Sequence, residues 1–544
     1  MEKQDNSNVE ILDEKKDDVA QEQLDVGAQQ KKKKGKGGIL IFLCLMAVVG
    51  ILAAIFVPSF LGGKPKTKRA KTDAVTVASP YRLSGNGLEN FDLYFLQLEN
   101  QTKNIVYSPL SIKYALAMLN EGTDGASHEQ VAAIIGEYTP KKYNNSDHMS
   151  FANAMFIRDT IKDGIKESYT KTLQDKFGAE IILDPFENAS NANSWVSNKT
   201  FNLVNNLLDD AKVKEEEFIL LNALAIDMNW VNRIQSACAP LPEGMGDKYY
   251  NVKYLHENYA EYISTIMEDH YPTMTFNGLE NRKSVLIGAS FNHYDIIKDL
   301  GEDNIRKTVG EKYKEYIAEH GEECGSYDEY MDKYIEAIGS NYKKEATSTD
   351  FYLYDNDEIK AFAKDLQEYD GVTLQYVAIM PKNASLEAYV KEVDAKSINN
   401  IIKNLKEAKY DNFKEGVVTR IKGQIPLFAY EYKLNLEDDL KALGVEDIFD
   451  INKADLSKML QSGKLAINDA NHKAKIEFSN DGIKAAAATS MGGAGADTCG
   501  FDYEYDVPVE DIDMTFDKPY MYLIRDKKTG EIWFVGSVYE PVQQ

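Results

Sequence analysis

From Ile39 to Leu61 the chain runs for 23 residues without one charged side chain. At 1.5 Å of rise per residue, a helix of that length crosses a hydrocarbon core about 30 Å thick. Uncharged runs this long are rare in soluble folds, so the segment is expected to be a transmembrane helix. A cleaved signal peptide would need a shorter apolar stretch nearer the N-terminus and a small-residue cleavage site, which Val57-Pro58-Ser59-Phe60 does not offer. Cys44 lies too early in the run for lipidation. A retained single-pass anchor is therefore expected. Five basic residues precede it (Lys31 to Lys34 and Lys36) and five come after it (Lys64, Lys66, Lys68, Arg69 and Lys71), so the charge count that usually sets orientation is a tie. The compact block on the short tail favours that tail inside.

The anchor divides the chain. Residues 1–38 mix nine acids with eight lysines and lack apolar periodicity, the pattern of a disordered, cytoplasmic tail. Residues 62–85 read as a linker. The rest must be core-forming, because 22 Phe and 33 Tyr are far too many for a disordered protein. A net charge of −25 excludes general affinity for nucleic acid, which needs clustered Lys and Arg. The four cysteines, at 44, 238, 324 and 499, are too few for a disulfide scaffold and lack zinc-type spacing. No H-E-x-x-H pair occurs among the seven histidines. His256-Glu257 and His293 with Asp295 read as scattered surface residues, so neither a metal nor a cofactor is expected.

Beyond residue 81, helical and strand-like patterns alternate. Ser108-Pro109-Leu110-Ser111 opens a helix, with Ser as cap and Pro at the first position. Ala192 to Leu208 reads as a second helix. Phe218 to Ile226 and Val372 to Met380 are near-continuous apolar runs, as strands buried on both faces are. Glu437 to Leu443 is a short helix closed by Gly444. Met521 to Ile524 and Ile532 to Val538 form a hairpin around Asp526 to Gly530. No repeat is apparent, and the βαβ rhythm of a parallel sheet is absent. The fold class is α+β.

Taken in order, these segments resemble the serpin family. Asn104-Ile105-Val106-Tyr107-Ser108-Pro109-Leu110-Ser111-Ile112 is similar to its opening signature. Asn193-Ser194-Trp195-Val196 with Thr200, then Leu221-Asn222-Ala223 ending at Trp230, come after it. Ile379-Met380-Pro381, Ile425-Pro426-Leu427-Phe428, Leu443-Gly444-Val445 with Phe449, and Asn471-His472-Lys473-Ala474 come next. Gly482 through Thr489, Phe516-Asp517-Lys518-Pro519-Tyr520, and Phe534-Val535-Gly536-Ser537-Val538 with Pro541 complete the set. One such motif would be weak; ten in the correct order are strong. The resemblance spans about 86–544 and implies three β-sheets, surrounding helices and an exposed reactive loop near the C-terminus.

In that family a hinge enters the central sheet as a new strand once a protease has cut the loop. The matching residues are Gly482, Ile483, Lys484, Ala485, Ala486, Ala487, Ala488 and Thr489. A strand sends alternate side chains to opposite faces. Ile483, Ala485, Ala487, Thr489 and Met491 then share one face, and Lys484, the only charge, takes the other. Insertion would bury Ile483 and Met491 without desolvating an ion. Two residues depart from the family pattern. Asn480 stands where Glu is usual, which is expected to weaken the anchoring of the hinge. Ile483 stands where Thr or Ser is usual, which is expected to slow insertion but not block it. Counting from Gly482 places the cleaved bond between Ala496 and Asp497. Ala at that position suits the shallow pocket of an elastase- or subtilisin-like enzyme. The long stretch from Asp497 to Thr515 leaves room for a bond near Thr498 or Cys499.

The resemblance also implies that Ser108, Ser111, Asn222 and His472 form a hydrogen-bonded cluster controlling strand separation, with Trp230 beneath the point where the loop first enters. Their reading as a hydrolase triad is disfavoured, since no G-x-S-x-G elbow occurs. Between Trp230 and Pro381 the chain is far longer than serpins usually are. Residues 240–345 hold 21 acids, 12 bases and 13 tyrosines, and that aromatic content argues for a folded, acidic insertion over a disordered linker. Ile305 to Gly339 reads as helical within it. Cys238 and Cys324 bracket the insertion, and whether they pair is left open.

Two functions are compatible with these residues. One is an inhibitor that traps a serine or cysteine protease by loop cleavage and insertion. The other is a non-inhibitory, membrane-displayed binding protein with the same fold. The hinge favours the first. The expected protein is a monomer at the cell membrane, with its serpin domain extracellular and with no enzymatic activity.

Overall fold

The computed structural model describes residues 79–234, 271–320, 326–342, 350–483 and 508–542. The tail, the 39–61 run, His256, Cys238, Cys324 and residues 484–507 lie outside them. Among the described residues, no helix is long and apolar enough to cross a membrane.

The chain opens with α1 (Asn90–Leu98), β1 (Ile105–Tyr107), α2 (Pro109–Asn120) and α3 (Gly125–Ile135). Next come β2 (Met149–Arg158), α4 (Glu167–Phe177), β3 (Glu180–Asp184), α5 (Ser190–Lys199), the one-turn α6 (Asp210–Val213), β4 (Phe218–Ile226) and β5 (Met228–Asn229). A pair of strands, β6 (Thr273–Phe276) and β7 (Leu279–Asn292), leads to α7 (Ile296–Leu300), α8 (Glu302–His320) and α9 (Tyr327–Tyr342). Then come β8 (Phe351–Asp355), β9 (Ile359–Asp365), β10 (Leu374–Pro381), α10 (Leu386–Glu392), α11 (Ala395–Asn404) and β11 (Lys406–Glu407). The last part holds β12 (Val418–Pro426), β13 (Phe428–Asn435), α12 (Leu436–Ala442), β14 (Asn471–Phe478), β15 (Gly482–Ile483), β16 (Val509–Asp513), β17 (Tyr520–Asp526) and β18 (Ile532–Val538).

Local chemistry explains the main boundaries. Ser108 Oγ accepts the Ser111 N–H at 3.1 Å, and Pro109 takes the first position of α2, where its missing N–H costs nothing. Gly444, at φ 92°, supplies the left-handed residue that stops the chain after α12. Every residue of β10 is buried, as expected of a strand held between β9 and β17 with both faces covered.

Hydrogen bonding joins the strands into four ladders: β1-β18-β17-β10-β9-β8-β11, β16-β12-β7-β6, β13-β14-β15-β5 and β3-β2-β4. The three sheets expected from the resemblance become four because the central one is parted. β4 and β5 are one extended segment interrupted only at Asp227, yet β4 pairs with β2 while β5 pairs with β15. The last two ladders are therefore the halves of one sheet, with no described strand between β4 and β14.

Three boundaries differ from the sequence reading. Residues 79–85, assigned to a linker, already belong to the fold: Leu83 is buried and its N–H donates to the Ile134 carbonyl. The helix read over Ala192 to Leu208 stops at Lys199. Thr200 Oγ1 donates to the Val196 carbonyl and accepts the Val204 N–H, while Phe201 and Asn202 turn to positive φ. Val204 and Leu207 remain buried, but on a loop packed against β2 and β4. Finally, the segment 240–345 is not one insertion. β7 pairs with β12 from Asn292↔Val418 to Ser284↔Pro426, so residues 273–292 are scaffold. Among the described residues of this segment, α7 to α9 form a separate piece, closed around Ile305, Val309 and Met331.

Candidate functional site

The parting of the central sheet is where the sequence-predicted residues gather. At its head, β14 ends at Phe478 and the chain reverses through Ser479-Asn480-Asp481. Ser479 pins this turn: its N–H and its hydroxyl both reach the Gly482 carbonyl, at 3.0 and 2.9 Å, and its Oγ accepts the Asp481 and Gly482 N–H groups. Residues 230–234 hold the turn from the other side. The Trp230 N–H donates to the Asp481 carbonyl at 2.9 Å and its indole N–H to the Ser479 carbonyl at 3.0 Å. Ile234 N–H donates to the Asn480 carbonyl, and Arg233 pairs with Asp481 at 2.6 Å. Asn480 itself is 1 % exposed and its Oδ1 accepts the Tyr271 hydroxyl. Where the family's Glu is missing, the side-chain contacts at the turn are Asn480 with Tyr271 and Asp481 with Arg233.

Beyond the turn, Gly482 and Ile483 run back as β15. Gly482 lies opposite Asn229, and Ile483 lies opposite Met228 on one side and Phe478 on the other. Gly482 is required by close approach: a Cβ there would sit 2.2 Å from the Met228 carbonyl oxygen. Ile483 is 3 % exposed and belongs to the same apolar cluster as Met228, Trp230, Phe478, Ala474 and Ile476. Its side chain thus points to the core face of the sheet, the face assigned to the odd-numbered hinge residues. Trp230, 1 % exposed, packs edge-on against Phe478 and Tyr376 below this point.

Below Ile483 no described strand lies between β4 and β14. The space is a slot, lined first by Leu224, Ile226, Ala474, Ile476 and Phe534 and lower down by Ser108, Ser111, Asn222 and His472. His472 Nε2 accepts the Ser108 N–H at 2.9 Å, which leaves the ring proton on Nδ1. Burial among these groups lowers the imidazole from its ordinary value to about 4, so the ring is neutral. Part of its surface still opens into the slot. Asn222 is not bonded to this group. Its Nδ2 donates to Asn153 Oδ1 at 2.7 Å, Asn153 donates to the Phe177 carbonyl, and Asn222 Oδ1 is buried without a partner.

The five residues grouped from sequence are thus two features. Ser108, Ser111, Asn222 and His472 line the middle of the slot, whereas Trp230 is eight residues farther along the strand direction from Asn222, about 26 Å away at 3.3 Å per residue. Asn153 was missed. Its signal was present: a lone amide at a core-facing position of the apolar strand Met149–Arg158. Nothing in the group resembles a hydrolase centre, since the Ser108 hydroxyl accepts a cap bond and His472 Nε2 is taken by a backbone N–H. His293 and Asp295 have structural tasks. The imidazole stacks on Tyr410 at 3.7 Å, and Asp295 caps α7 by accepting the Lys298 N–H. Lys484 to Thr489, Ala496 and Asp497 lie outside the described residues. The loop rejoins the fold at Val509, which pairs in parallel with Val418.

This arrangement has known counterparts. The family described as Serpin (serine protease inhibitor) matches residues 90–237 and 334–541. Glia-derived nexin of Homo sapiens is 23% identical over 461 residues, covering 80% of this chain and 88% of its own. Neuroserpin of Mus musculus is 25% identical over 468 residues, covering 81% and 87%. An uncharacterized serpin-like protein of Methanosarcina acetivorans is 20% identical over 480 residues, covering 84% and 86%. Among solved structures, the native state of the thermophilic serpin tengpin superposes with a TM-score of 0.55 at 19% identity, covering 88% of this chain and 97% of tengpin. Native protease nexin-1 with heparin gives 0.51 at 20% identity, covering 83% and 97%.

Proposed function

The chain belongs to the serpin family, a family of protease inhibitors and not of enzymes, and on that premise we propose that it traps a serine or cysteine protease by cleavage of its reactive loop and insertion of the hinge into the central sheet. One observation carries this reading. Gly482 and Ile483 are already hydrogen-bonded at the head of a slot between β4 and β14 in which no described strand lies.

Continuing the strand in the register of Ile483 sets Ala485 opposite Ile226 and Ile476, and Ala487 opposite Leu224 and Ala474. Thr489 then falls opposite Asn222 and His472, where its hydroxyl is a candidate donor to the unpartnered Asn222 Oδ1. Small side chains suit these positions because the two parted strands need only admit a backbone. Cleavage releases the loop, and the new strand pairs both free edges.

The favoured target is an elastase- or subtilisin-like endopeptidase cutting between Ala496 and Asp497. Residues 39–61 would anchor the protein as a single pass, with 1–38 in the cytoplasm and 62–544 outside the cell. Incubating the protein with elastase and with subtilisin tests the mechanism: an SDS-resistant complex is expected. Loop cleavage by both enzymes with no such complex would overturn it. Protease shaving of intact cells tests the orientation, and a C-terminal domain left untouched would refute it.

A further inference from the structure

Below Asn222 the slot widens into a cavity of about 130 Å³. Its walls are apolar and come from several elements: Leu116 and Leu119 of α2, Leu221 of β4, Leu440 of α12, and Phe449 and Ile467 ahead of β14. One rim is charged, with Asp209, Lys212, Glu216 and Asp469. Lys212 is the sole cation among the lining residues, and it is taken: its Nζ lies 2.6 Å from Asp469 Oδ1. Asp469 also accepts from the Asn471 amide. Asp209 accepts the Ala211 N–H as the cap of α6. Glu216 is left with Asn468 Nδ2 at 3.5 Å, the outer limit of a hydrogen bond. Its half-buried carboxyl, desolvated and beside the charge of Asp469, is pushed up to about 7. The rim therefore carries three carboxylates and one ammonium, and Glu216, which shares the field of Lys212 with Asp469 but makes no ion pair with it, borders an apolar space.

We propose that this cavity binds a small amphipathic amine, with an aromatic-sized apolar body among Leu116, Leu440 and Phe449 and its ammonium group on Glu216. The size is right: an engineered cavity of about 150 Å³ lined by aliphatic and aromatic side chains admits benzene. The charge selects the head group, because an ammonium supplies the counter-ion and the donors that Glu216 lacks, whereas a carboxylate would add a further negative charge. Apolar burial holds the body, and the charge-assisted bond sets the preference among heads of equal size. The proposal does not rest on whether the loop traps a protease, and a strand inserted as far as Phe218 would run along the cavity's β4 wall and displace the ligand.

Three probes with one ring system test it on the full chain: tryptamine, indole and indole-3-propionate, titrated by calorimetry. Tryptamine is expected to bind roughly tenfold more tightly than indole, and indole-3-propionate more weakly than indole. Glu216→Gln should bring tryptamine down to the affinity of indole while leaving indole unchanged. Ala115→Phe, which fills the cavity from α2, should abolish both. No tryptamine binding at millimolar concentration, an undiminished amine preference in Glu216→Gln, or binding that survives a folded Ala115→Phe would each overturn the proposal. Should Ala115→Phe fail to fold, the tryptamine-to-indole ratio in Glu216→Gln decides alone.

Discussion

Ile483 lies directly opposite Met228, with its side chain sealed into the core before any protease has touched the loop. The first two hinge residues, Gly482 and Ile483, are therefore already in place in the sheet. They are a strand already started, two residues long, and loop cleavage would let it grow.

That start has a stability signature. Ile483→Ala removes most of a buried side chain and leaves a void beside Met228 and Phe478, so the uncut protein should lose about 2–4 kcal/mol. Denaturant unfolding measures this. A loss below about 0.5 kcal/mol, the usual range for exposed positions, would mean that the hinge is outside the sheet in solution. Ile483→Arg should go further and cancel the rise in melting temperature that loop cleavage brings, because it forces a charge against the core.

Gly482→Ala tests the close approach by itself. Its methyl group would have to occupy space 2.2 Å from the Met228 carbonyl oxygen, where backbone cannot yield cheaply. Overpacking of this kind costs about 1–3 kcal/mol. The variant should open the head of the sheet, expose Trp230 and redden its fluorescence. An unchanged spectrum and melting temperature would show that β15 does not pack on β5.

Much of this was legible in the sequence, and the rest was hidden for identifiable reasons. Ser108-Pro109 announces α2 because capping is a local matter, and the Asp526 to Gly530 turn announces β17 and β18 for the same reason. β6 and β7 were not seen because β12, the strand that ties β7 into the scaffold, lies more than 120 residues away and acidic, Tyr-rich chain surrounds them. The end of α5 at Lys199 depends on a side-chain bond from Thr200 that competes with the helix. Motif order named Asn222 and His472, but which partner each takes is a property of the parted sheet. Asn222 bonds to Asn153 across β2, not to His472 across the slot.

His472 makes stability depend on pH in a stated direction. Its folded value, about 4, lies below the 6.5 expected of the unfolded chain. Such a group contributes fully above pH 6.5, and that contribution falls away as the pH drops from 6.5 towards 4, because the unfolded state binds the proton first. The full effect is on the order of 3–4 kcal/mol. Protonation would also turn Nε2 into a donor facing the Ser108 N–H, two donors in one contact. His472→Gln should flatten the stability profile between pH 4 and 6.5. A wild-type profile that is already flat there would show that His472 titrates normally.

Loop cleavage should change hydrogen exchange at two edges. In the uncut protein no described strand lies between β4, from Leu220 to Ile226, and β14, from His472 to Ile476. Insertion would pair both with residues 484–491, so their slot-facing amides should become protected after cleavage. Protection at β2 and β13, each separated from the slot by the strand it already pairs with, should change little. Exchange that stays unaltered at both slot edges would argue that the cut loop remains outside.

The same register bounds the cleaved bond. A strand that starts with Ile483 opposite Met228 and runs antiparallel to β4 reaches the end of that strand, Phe218, at Gly493. Up to there each inserted residue gains a backbone partner; beyond it, there is no β4 to pair with. A protease linked through the residue at the cut is carried to the far end of the sheet only if the bond lies at or just past this limit. Ala496-Asp497 lies three residues beyond Gly493, enough chain to clear the sheet. A bond near Thr498 or Cys499 would leave a longer slack segment and a less strained enzyme. Mass spectrometry of the C-terminal fragment released by elastase decides between them. An N-terminus at Asp497 is expected, and one beyond Phe501 would show that the inserted strand does not keep the register set by Ile483.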